Sequence, residues 1–144
     1  MVFGHIDLTH HFTELKQAND RPASEQEKAV RKFHKEIMHR IRFLDAVAYH
    51  LHKANLISRS TKLNLEDAKN AFMALESHCQ IYLMQKKKPQ NFNEFIHHVE
   101  NNALIEKLEK RIKLLEKHLD QEDKRLKVII RCIHEIVHEL HKAE

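Results

Sequence analysis

Residues 104–140 read LIEKLEKRIKLLEKHLDQEDKRLKVIIRCIHEIVHEL, and this stretch decides the fold. Ile112, Leu119, Leu126, Ile133 and Leu140 recur at one heptad position. Leu108, Leu115, Ile129 and Ile136 fill a second position, which Glu122 interrupts. Apolar residues spaced 3-4-3-4 over about five heptads are the seam of a helix that packs lengthwise on other helices. No Gly or Pro follows Pro89. Glu106–Lys110, Glu109–Lys113, Asp120–Lys124 and Asp123–Lys127 set an acid one turn before a base, the favourable order on an exposed helix face. The spacing predicts one long C-terminal heptad helix. A start at Phe92 would make it roughly 75 Å long. A bend near Leu119–Asp123 is the competing arrangement, because Glu122 sits in the seam.

The same spacing recurs upstream. Val30, Ile37, Leu44 and Leu51 alternate with His34, Ile41 and Ala48, predicting a helix over about 25–55. Ser24 and Glu27 are placed like a capping box at its start. Leu65, Ala68, Phe72, Leu75, Cys79 and Tyr82 predict a further helix opening near Asn64 and stopped by Pro89. Phe92, Phe95, Ile96 and Val99 form a short cluster after Asn91, and Asn101-Asn102 is a candidate break. Leu8, Phe12 and Leu15 share a face in a short first element. The expected fold is all-α: an antiparallel helical bundle of four to five helices, with 1–144 as a single helical-bundle domain.

Composition agrees with that class. The 144 residues include one Gly, two Pro and no Trp, and 32% are charged. Turn and strand formers are too scarce for a sheet protein. Net charge is +4, which permits an acidic partner without requiring one. Two cysteines make no disulfide framework, and both read as buried thiols. The opening residues lack the basic-then-apolar layout of a secretion signal, and no apolar run reaches the ~20 residues of a membrane span. A cytoplasmic protein is expected; export without a cleaved signal would leave the same sequence.

The 14 histidines invite chemical readings. His134-Glu135-Ile136-Val137-His138 resembles the HExxH helix of zinc proteases, which makes His134 and His138 candidate metal ligands. No third ligand follows at the family's spacing, and the heptad register points both rings outward. Glu36–His39 and Glu135–His138 resemble the paired ExxH motifs of ferritin-like di-iron proteins, again directed outward. Glu36-Ile37-Met38-His39-Arg40-Ile41 resembles the phosphoacceptor segment of one histidine-kinase class, with Phe43-Leu44-Asp45 where that class has Asn-Asn-Leu. That resemblance implies an exposed phosphoacceptor at His39. His34, on the apolar row, is expected to stay neutral when buried and to cost stability between about pH 6.5 and 5.

Weighed together, these features point away from an enzyme and imply no cofactor. The expected function is that of a non-catalytic interaction protein, a small adaptor, chaperone-like partner or regulator. It would bind a protein partner or its own copy, as a homodimer or larger homo-oligomer, with nucleic acid and membrane not expected. The binding residues would be Leu108, Ile112, Leu115, Leu119, Leu126, Ile129 and Ile133, left over once the shorter helices pack. Phosphate relay through His39 and metal capture by a histidine-rich bundle are the alternatives.

Overall fold

The apolar rows of the middle of the chain become its two longest helices. The computed structural model describes residues 8–84, 91–120 and 125–142. These hold α1 (Leu8–Lys16), a 3-10 turn (Gln17–Asp20), α2 (Ala23–Lys53), α3 (Arg59–Met84), α4 (Asn91–Asn101), α5 (Leu104–Asp120) and α6 (Arg125–Lys142). No strand occurs among the described residues. The all-helical class is as expected. The described residues hold six helices rather than four to five, because the stretch 104–140 is two helices and not one.

α2 and α3 make the most extensive contact in the fold. They run in opposite directions: Asp45 meets Lys69 at 3.1 Å and His34 meets Glu76 at 3.3 Å. Val30, Ile37, Leu44 and Leu51 of α2 and Leu65, Ala68, Phe72, Leu75 and Cys79 of α3 are buried between them. The connection is capped at both ends. Asn55 closes α2 with φ 58°, its N–H donating to the His52 carbonyl and that of Leu56 to the Leu51 carbonyl. This paired bond pattern satisfies two otherwise orphaned carbonyls, and Asn tolerates the left-handed backbone it needs. Ser58 then caps α3, its Oγ accepting the Thr61 N–H at 3.2 Å. α3 therefore opens at Arg59 rather than near Asn64, the polar run Ser58–Lys62 being cap and first turn. α2 begins at Ala23, where the Pro22 carbonyl accepts from Glu25 and Gln26. No side chain caps it, so Ser24 lies inside the first turn.

The chain breaks at the candidate position Asn101-Asn102, and the stretch expected as one long helix is two, as in the competing arrangement. Between α4 and α5 the chain turns at Asn102-Ala103, and Ala103 takes φ 49°. α5 then runs antiparallel to α3, with Arg111 at 3.7 Å from Asp67 and His118 Nε2 at 2.9 Å from Thr61 Oγ1. α6 runs antiparallel to α2, with the His134 ring on Phe43 and the His138 ring near His39. α5 and α6 thus point in opposite directions. The chain reverses where continuity had been expected; Glu122 itself lies outside the described residues.

An alanine in the left-handed region carries a steric cost that glycine does not. Ala103→Gly is accordingly expected to stabilise the fold by about 1 kcal/mol, or about 3 °C in Tm. An unchanged or lowered Tm in differential scanning calorimetry would contradict this.

Candidate functional site

The reversal puts the expected binding residues to another use. Leu108, Ile112, Leu115, Leu119, Leu126 and Ile133 are buried in the chain's own core, and Ile129 is half-buried against it. Their apolar area is consumed within the chain, which corrects the reading of them as a leftover surface.

What remains exposed lies on the far side of α6. This helix buries Leu126, Ile130, Ile133 and Val137. The heptad reading had Ile129, Ile136 and Leu140 in that row. Instead α6 is rotated, and Ile136 and Leu140 are 61% and 63% exposed. The rotation brings the His134 edge onto the Phe43 ring, centroids 5.0 Å apart, and turns His138 and His141 toward α2. Val128 (61% exposed), Cys132, Ile136 and Leu140 then form an outward ridge at four-residue spacing. Cys132, Glu135, Ile136, Glu139 and Leu140 line a shallow trough of about 480 Å³ on it. The 4-4-4 spacing of these four is present in the sequence, but the heptad seam includes only Ile136 and Leu140 of them. Cys79 is buried as expected, and burial together with Glu76 pushes its thiol up to about 12, which leaves it inert. Cys132 is exposed, a correction to its reading as buried.

The inner flank of α6 carries a cluster that no sequence row announced. His39 of α2 is 4% exposed and faces three rings of α6. Its centroid lies 5.8 Å from His134, 5.7 Å from His138 and 4.5 Å from His141. Positions 134, 138 and 141 share a face because they are one and two helical turns apart. Arg40 Nη1 stands 2.9 Å from His39 Nδ1. A guanidinium can only donate, so Nδ1 accepts and the ring carries its proton on Nε2. That Nε2 is buried with no hydrogen-bond partner among the described residues. Burial, then Arg40, then His141, His134 and His138 hold the His39 pKa down to about 4. His134 is lowered as well, by burial first and then Arg40 and His138, with Glu135 opposing.

This geometry bears on two expectations. His39 lies under α6, so the solvent access that phosphoryl transfer to it would need is missing. His134 and His138 do converge with two further histidines. Yet a metal-ligating imidazole donates its second nitrogen's proton to an acceptor, whereas His39 faces a cation there. Among the described residues no group of three or more His, Cys, Asp or Glu is arranged to hold a metal ion. The buried histidine is also not the expected one. His34 is half-buried, its Nε2 3.3 Å from Glu76 Oε1, and His39 takes the role assigned to it.

A second surface lies between α3 and α5. Ala71, Ala74, Leu104, Leu108 and Leu114 line a groove of about 720 Å³ that Lys107, Lys110 and Arg111 edge. Leu114 is 68% exposed there.

No described helix is long and apolar enough to cross a membrane. No family model, curated protein or solved structure matches the chain.

Proposed function

We propose that the protein is a non-catalytic interaction protein, a single antiparallel helical bundle that binds a helix through the outer ridge of α6. The observation that carries this reading is that α6 is apolar on two sides and only one is covered. Leu126, Ile130, Ile133 and Val137 are buried, while Val128, Ile136 and Leu140 each remain more than 60% exposed. Single exposed apolar residues are ordinary on a protein surface; a continuous ridge of them on one helix marks a contact site. Residues at i, i+4 and i+8 are the anchors by which one helix lies along another. Phosphate relay fits less well, since it requires His39 to meet a second protein. Metal capture fits less well because Arg40 occupies Nδ1 of the central ring.

The folded protein at neutral pH is expected to bind an apolar-surface dye such as anilinonaphthalene sulfonate. Ile136→Lys with Leu140→Lys should remove most of that signal while leaving the far-ultraviolet circular dichroism intact. Undiminished dye binding in the double variant would overturn the reading.

A further inference from the structure

Resting on that docking reading, we infer that the α6 ridge takes a second copy of this chain, its α6 reversed about a twofold axis near Cys132. Charge on α6 is divided between its halves. Arg125, Lys127 and Arg131 lie before or beside Cys132; Glu135 and Glu139 lie after it, with Lys142 in the last turn beside Glu139 at 3.8 Å. At 100° per residue, Arg125 and Glu139 fall about 20° to either side of Cys132, within the ridge. Arg131 and Glu135 fall together along one flank of it, and Arg131 has no ion-pair partner among the described residues.

Laying an identical helix antiparallel across this face sets each half against its opposite. Val128 meets Ile136 of the other copy, Arg125 meets Glu139, and Arg131 comes beside Glu135. In antiparallel helix pairs the same flank of both helices meets, so Arg131 and Glu135 are on the side where they can pair. A parallel pair would face Arg125 with its own copy, and like charges across a contact repel. The antiparallel contact is isologous and closes on itself, giving a dimer rather than a filament. Cys132, exposed and on the axis, meets its counterpart. From Val128 to Leu140 the ridge spans about 18 Å. So short a contact lies at the small end of specific interfaces, so the dimer is a weak, reversible one.

Sedimentation of the full chain under reducing conditions should show a monomer–dimer equilibrium, abolished by I136E. R131E should weaken it about tenfold, since the twofold axis makes the pair twice and each exposed pair is worth about threefold, and R131E with E135R in one chain should restore it. Cysteine cross-linking reads the direction of packing. With C132S as background, a mixture of V128C and I136C chains should form the mixed disulfide, while V128C alone should not link to itself. Self-linking of V128C would overturn the antiparallel arrangement. A monomer at every concentration up to the millimolar range would overturn the second copy as occupant. The dye experiment, run dilute enough that the chain is monomeric, reports whether the ridge is an apolar surface open to a partner, and dye binding should fall as the dimer forms, so failure of the dimer and failure of the docking reading are told apart.

Discussion

Phe43→Ala is expected to destabilise the protein by about 3–5 kcal/mol and to loosen α6 before the rest of the fold. Phe43 is 1% exposed and lies in the contiguous core shared by all six helices. It also joins α2 to α6 directly, because its ring meets the His134 ring at an interplanar angle of 80°. α2 is the main neighbour of α6. Truncation removes the ring's transfer free energy and leaves a cavity between these two helices. Phe72→Ala supplies the contrast. Phe72 is fully buried on α3, which packs against α2, α4 and α5. Both variants should lose comparable stability in urea unfolding. Amide exchange should separate them, with α6 exchanging faster only in Phe43→Ala, since local opening follows local contact. Equal acceleration of α6 in both would show that Phe43 does not anchor this helix.

The same asymmetry explains which parts of the fold were legible. The rows of α2 and α3 were read from spacing alone, because each is a long helix buried along one face by the other. The continuity of residues 104–140 was misread for a reason of magnitude. The acid–base pairs that argued for it are worth about 0.2–0.5 kcal/mol each. Burying one leucine is worth about 1.5–3 kcal/mol. Leu119, Leu126 and Ile133 are covered in a chain that folds back, and an extended rod would leave much of that row in water. The Asn101-Asn102 break was visible because asparagines suit a helix end, although Ala103 rather than either Asn adopts the left-handed turn. Ser58 was hidden as a cap by the polar residues around it. The histidine cluster was half legible: 134, 138 and 141 share a helix face in any register. That His39 would meet them depended on α6 returning along α2, which only the tertiary fold decides.

Acid should undo this contact first. His39 titrates near 6.5 when unfolded and about 4 when folded. As pH falls below 6.5 the unfolded chain takes up the proton before the native one does, so the equilibrium moves toward unfolding. Stability is lost between about pH 6.5 and 4 and levels off below, where both states are protonated. A separation of that size corresponds to a loss on the order of 3 kcal/mol, and the lowered His134 adds to it with the same sign. The charged and titratable neighbours are Arg40 and Glu36 on α2, and His134, Glu135, His138 and His141 on α6. Arg40 already places one positive charge beside the cluster, with Glu36 4.0 Å away as a partial offset. A proton on His39 would be a second positive charge in the same buried space, and it has no carboxylate of its own to meet. Urea unfolding at pH 7, 6 and 5 should therefore show a steep decline for the native sequence and a shallower one for His39→Phe, whatever the variant's stability at pH 7. Amides of α6 should lose protection at pH 5 while those of α3 keep theirs, because His39, His134, His138 and His141 all lie where α6 meets α2. Parallel pH profiles for the two proteins would place the acid-sensitive group elsewhere.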